Sequence, residues 1–209
     1  MTAFPFFLRH AAALALALCS SLAAADTSFN VSIDTAGFGA SGWLDLQFNP
    51  NGGLFTPAAT AMVTNFTGFD AAATAYSEGN VTGSLQSGYV FGNSTYYNDL
   101  FHAVNYGSVL SFTVTFAGDA ELTGNFGQSQ FTVAAYAADE VTPLGVASGD
   151  SLLAITWTPA AVAGMAGNAD AVSYSAAAAV SAVPEPPSLL MLGMGAMLVA
   201  GVAARRRQA

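Results

Sequence analysis

An all-β fold, an antiparallel β-sandwich of immunoglobulin-like or jelly-roll type, is what this 209-residue chain predicts between two apolar termini. Three observations point there. Apolar and polar residues alternate with period two in one segment after another, turn-forming residues separate those segments, and no interior segment sustains a helical period. The interior, residues 26–182, is long enough for one domain with a sizeable core.

Taken in order, the chain opens on a secretory signal peptide over residues 1–25. Arg9 and His10 form its basic region, Ala11 to Leu18 its apolar core, and Ala23-Ala24-Ala25 a small-residue cleavage site before Asp26. A signal peptidase acting between Ala25 and Asp26 would remove Cys19, the one cysteine, so the exported domain would hold neither disulfide nor thiol nucleophile.

The first clear strand places Leu44, Leu46 and Phe48 on one side and Trp43, Asp45 and Gln47 on the other. Val81, Gly83, Leu85, Ser87, Tyr89 and Phe91 read as one side of a single long segment. Leu110, Phe112, Val114 and Phe116 then alternate with Ser111, Thr113 and Thr115, the clearest case in the chain. Phe131 with Val133 follows, and Leu153, Ile155 and Trp157 repeat the arrangement. Asn51-Gly52-Gly53, Gly118-Asp119, Gly145 and Gly149-Asp150 read as turns. Only the alanine-rich piece from Pro159 to Gly167 hints at a helix. Val172, Tyr174, Ala176, Ala178 and Val180 read as a last strand, and the spacing of turn signals implies about eight to ten strands in all.

The tail, residues 183–209, is of a different kind. Val183-Pro184-Glu185-Pro186 precedes an uncharged run from Leu189 to Ala204, and Arg205, Arg206 and Arg207 follow directly. As a helix at ~1.5 Å per residue the run spans about 24 Å, short against a hydrocarbon core of roughly 30 Å. Snorkelling arginines and local thinning absorb such a mismatch, so a single transmembrane helix of about residues 188–204 is expected. The arginines would hold its end in the cytoplasm and leave the domain outside.

This order of motif, helix and basic stop resembles the PEP-CTERM sorting signal of Gram-negative bacteria, a tail also catalogued as an ice-binding protein C-terminal domain. The resemblance implies that Val183, Pro184, Glu185 and Pro186 are the sorting motif of a tail that an exosortase recognises and processes, and passage from an inner-membrane-anchored precursor to the cell surface or extracellular matrix. It further implies company with exopolysaccharide and biofilm. The ice-binding label has no support in the domain itself, because Thr113 and Thr115 form no repeated ladder along the chain.

Charge narrows the function classes. The four basic residues are Arg9 and Arg205 to Arg207, while every one of the 13 acidic residues except Glu185 lies between Asp26 and Val183. Nucleic-acid binding is excluded, since phosphate neutralisation needs Lys or Arg. The carboxylates are expected to be solvated, and no cofactor is expected. A structural calcium is the sharper alternative, drawing on Asp119, Glu121 and Asn125 or on Asp139 and Glu140.

Candidate chemistry is sparse. His102 is the one histidine of the domain, with Asp99 nearby, but no nucleophile elbow or H-E-x-x-H motif accompanies it, so a structural or surface role is expected and no catalytic residue is assigned. Trp157 reads as core, whereas Trp43 lies opposite the apolar side of its strand and is the candidate glycan contact. Tyr96 and Tyr97 would divide between two faces if their segment were a strand. Asn-x-Ser/Thr triplets occur at Asn30, Asn65, Asn80 and Asn93, with the acidic Glu78 ahead of Asn80 alone. The expected protein is an exported, non-enzymatic surface or matrix protein. The alternatives are a carbohydrate-binding module and, behind it, a secreted glycan-active enzyme.

Overall fold

The computed structural model describes residues 27–52, 55–146 and 151–184. The signal peptide with Ala23, Ala25 and Asp26, the apolar run, Glu185, Pro186 and Arg205, Arg206 and Arg207 lie outside the described residues. No helix among the described residues is long and apolar enough to cross a membrane.

In chain order the strands are β1 (Thr27–Asp34), β2 (Ser41–Asn51), β3 (Ala59–Thr67), β4 (Tyr76–Glu78), β5 (Val81–Ser84), β6 (Gly88–Gly92) and β7 (Asp99–Asn105). There follow β8 (Val109–Gly118), β9 (Gln128–Tyr136), β10 (Pro143–Leu144), β11 (Leu153–Thr158), β12 (Asn168–Ser173) and β13 (Ala178–Ala182). They form two antiparallel sheets. The first has the order β13-β1-β8-β3-β6-β5 and the second β12-β11-β9-β2-β7-β4, with β10 pairing β9 at its end.

Three nested pairs, β1 with β8, β2 with β7 and β3 with β6, alternate between the sheets. That wrapped ribbon is a jelly-roll connectivity, which decides between the two topologies that the alternation pattern leaves open. Its tip is the Gly79-Asn80 turn, where the chain crosses from β4 in the second sheet to β5 in the first. Gly79 has φ +72, and a Cβ there would lie 1.9 Å from the Tyr97 carbonyl oxygen, so only glycine fits the crossing.

The inward sides of both sheets make one core. Leu44, Leu46 and Phe48 of β2 are fully buried, as are Leu110 and Val114 of β8, Phe131 and Val133 of β9 and Ile155 of β11. Edge-on aromatic contacts link the layers, Phe91 to Phe131 at 5.9 Å and Phe116 to Phe131 at 6.1 Å. Trp157 is 1% exposed, in the core as its register with Leu153 and Ile155 implies.

Several segments differ from the pattern reading. The run Val81–Phe91 is a hairpin, with β5 and β6 joined through Leu85–Ser87. Ser84 Oγ accepts from the Ser87 backbone N–H at 3.2 Å, and Gly83 and Gly88 flank the turn with positive φ. The piece Pro159–Gly167 forms turns and no helix. Residues 172–180 divide between β12 in one sheet and β13 in the other, broken where Ser175 Oγ accepts from the Ala177 backbone N–H. Among the described residues there are thirteen strands, more than the eight to ten expected. Ser181 and Ala182 belong to β13, and the Val183 backbone N–H still donates to Ser28 O at 2.8 Å.

Candidate functional site

The outward face of the second sheet collects the side chains with the most chemistry. On β2 the alternation that buries Leu44, Leu46 and Phe48 turns Trp43, Asp45, Gln47 and Asn49 outward together. Register supplies their neighbours. Trp43 stands opposite Tyr136 of β9, Asp45 opposite Phe101 of β7, and Gln47 opposite Asp99. Tyr76 and Glu78 of the edge strand β4 face Phe101 and Asp99.

Four rings from four adjacent strands therefore meet. Trp43 stacks on Phe101 with ring centroids 4.9 Å apart and planes 5° from parallel. Tyr76 leans against Trp43 at 5.8 Å, and Tyr136 meets Phe101 edge-on at 5.8 Å. Trp43 is on the outward face as its strand pattern implies, but its stacking leaves it half-buried. Tyr76, at 62% exposed, is the ring most open to solvent.

Beside the rings lies a row of carboxylates. Asp45 is only 9% exposed although it points outward, because the surrounding side chains rise above it. Its Oδ2 accepts from Gln47 Nε2 at 2.7 Å, and Gln47 Oε1 accepts in turn from Asn49 Nδ2 at 3.2 Å. Asp45 Oδ1 has no hydrogen-bond partner among the described residues. Burial pushes the Asp45 carboxyl up to about 6; the Gln47 bond opposes the shift and the charge of Asp99 adds to it. Asp99 is raised as well, by burial first and then by Glu78 across the strand pair.

The other residues singled out from sequence sit elsewhere. His102 is 1% exposed on the inward side of β7, its ring 5.5 Å from that of Phe69 and its Nδ1 2.9 Å from Ala103 O. Asp99 and His102 fall on opposite faces of one strand, so they form no catalytic pair. Tyr106 is buried, with its hydroxyl shared between Trp43 O and Tyr136 O at 2.8 and 3.0 Å. Tyr96 and Tyr97 do not divide between faces; they occupy the loop before β7 and both are exposed.

Among the described residues no three His, Cys, Asp or Glu side chains are grouped to hold a metal. Glu121 Oε1 accepts from the Thr123 N–H at 2.8 Å, and the Thr123 contacts lower its carboxyl. Asp139 caps its own turn, accepting from the backbone N–H groups of Val141 and Thr142 and from Thr142 Oγ1, which lowers its carboxyl too.

The outward side of the first sheet is a layer of hydroxyls and amides that bond each other. Thr113 Oγ1 donates to Asn30 Oδ1 at 3.0 Å, and the Ser28 and Thr115 hydroxyls lie 2.8 Å apart. Of the Asn-x-Ser/Thr triplets, Asn93 is 6% exposed and fully engaged, with Ala59 N donating to Oδ1 and Nδ2 donating to Pro57 O and Ser129 Oγ. Asn80 is exposed in the crossing turn, next to Glu78.

The rings were only partly legible beforehand. Alternation marks Trp43 as outward, but Phe101 and Tyr76 join it through strand pairings more than 20 residues apart, which no local pattern carries.

Compared with known proteins, residues 182–207 match the family model of the PEP-CTERM protein-sorting motif, which bears out the resemblance drawn from the tail. No curated protein and no solved structure matches the chain. The motif marks an exported protein that an exosortase sorts to the cell surface, and its matched segment begins at Ala182, the last residue of β13.

Proposed function

We propose that this exported chain is a non-enzymatic surface or matrix protein whose β-sandwich holds exopolysaccharide of a biofilm through the outward face of the second sheet. One observation carries the reading: Trp43, Phe101, Tyr76 and Tyr136 form a continuous ring surface directly beside Asp45, Gln47 and Asn49. Aromatic rings accept the C–H face of a pyranose, while carboxylate and amide groups orient its hydroxyls. The unpartnered Asp45 Oδ1 is an acceptor placed among those rings. The sorting tail supports the destination in which such a face would meet polysaccharide. A signal peptidase and an exosortase act on the ends of the chain, and the carboxylates of the domain remain solvated or hydrogen-bonded without a bound cofactor.

The test is retention on the host's own exopolysaccharide. Trp43→Ala is expected to weaken it about tenfold, as loss of one stacked ring implies. Undiminished retention would remove the face from consideration. Retention without shortening of the polymer separates binding from hydrolysis by Asp45 and Asp99.

A further inference from the structure

The carboxylates on the ring-bearing face have no cationic partner anywhere in the domain. Glu78 and Asp99 stand directly opposite each other on β4 and β7, an arrangement that destabilises a strand pair. Asp45 lies on the next strand opposite Phe101, two residues along from Asp99 and on the same face. Between Asp26 and Val183 there is no lysine or arginine to neutralise them, and His102 is on the inward side of the sheet. Asp45 adds an independent sign of a ligand. It is more than nine-tenths buried among the rings, and one of its oxygens has no partner among the described residues.

We infer that the sugar recognised by this face carries a free amino group, so that a pyranose seated against Trp43 and Tyr76 places an ammonium among Asp45, Asp99 and Glu78. The inference rests on the sugar-binding reading and narrows it to one class of polymer, a polysaccharide of amino sugars lacking N-acyl groups. A neutral sugar would cover the carboxylates and leave their repulsion in place. An acidic sugar would add to it. An ammonium removes it, donates up to three hydrogen bonds and is attracted by the negative faces of the rings.

The probe set is three oligosaccharides of equal length, β-1,4-linked glucosamine, N-acetylglucosamine and glucose, titrated into the full chain in detergent. The glucosamine oligomer is expected to bind at least about tenfold more tightly than the other two. Asp45→Asn with Glu78→Gln is expected to erase that preference. Asp119→Asn with Glu140→Gln, which removes the same charge from loops outside the face, should leave it intact. Equal loss in both double variants would mean unspecific attraction of a polycation and would overturn the inference. Equal affinity for all three oligomers, still lost in Trp43→Ala, would overturn it and leave the sugar-binding reading standing. Binding of none would overturn both.

Discussion

Asp45 shows how one side chain acquires a property from its neighbours. Its free carboxyl value is 3.8 and its folded value about 6, so between those limits the folded state holds a proton that the unfolded chain has released. Stability from this group is therefore full below about pH 4 and is lost as pH rises through about 6. Asp45→Asn, uncharged at every pH, should match the native protein near pH 4 and exceed it by about 2 to 3 kcal/mol at pH 7. Thermal melts at the two values decide this, and an equal difference at both would contradict the assignment. The outward direction of Asp45 and Trp43 was legible from alternation alone. Their burial was not, because the covering rings come from β4, β7 and β9.

At the scale of elements, the corners of the jelly roll are held by buried amides. Asn98 is fully buried, its backbone N–H donating to Asn49 Oδ1 at 2.7 Å and its Nδ2 to Phe48 O at 3.0 Å. Its Oδ1 accepts from the Asn80 backbone N–H at 2.9 Å, so one side chain ties the end of β2 to the crossing between β4 and β5. Asn98→Ala keeps the backbone bond to Asn49 but removes the side-chain partner of Phe48 O and of the Asn80 N–H, and is expected to cost about 3 kcal/mol, read as a shifted denaturant midpoint at unchanged slope. A shift below about 1 kcal/mol would show that the corner is held by other contacts. The same scale explains the misread segments. Period-two alternation runs unbroken in the sequence of Val81–Phe91 and 172–180, but the folded chain does not follow it through the second stretch, where Val172 and Tyr174 are exposed while Ser175 and Ala178 are buried. In each break a serine hydroxyl bonds its own turn, joined in the first by Gly83 and Gly88 at positive φ, and serine and glycine are too common in this composition to stand out.

For the whole molecule, charge and address dominate. With every acidic residue but Glu185 in the domain and no lysine or arginine there, long-range electrostatics within the domain is repulsive. Raising sodium chloride from about 0.05 to about 0.5 M should therefore raise the melting temperature, and a fall would reveal an attractive network. The sorting motif starts where β13 ends, with Val183 still bonded to Ser28 of β1. Replacing Pro184, Glu185 and Pro186 by alanine should leave uncleaved precursor in the inner membrane, measured by fractionation; normal surface delivery would count against exosortase dependence. Sequence by itself determined the all-β class, the core faces of β2, β8 and β11, the absence of lysine and arginine between Asp26 and Val183 and the sorting tail. Each of these depends on residues close in the chain or on composition, where local periodicity and net charge are complete descriptions. Tertiary structure alone decided the jelly-roll order, the inward burial of His102 and the meeting of Trp43, Tyr76, Phe101 and Asp45. Those depend on which strands pair, and pairing is set by the packing of one buried core across segments far apart in sequence.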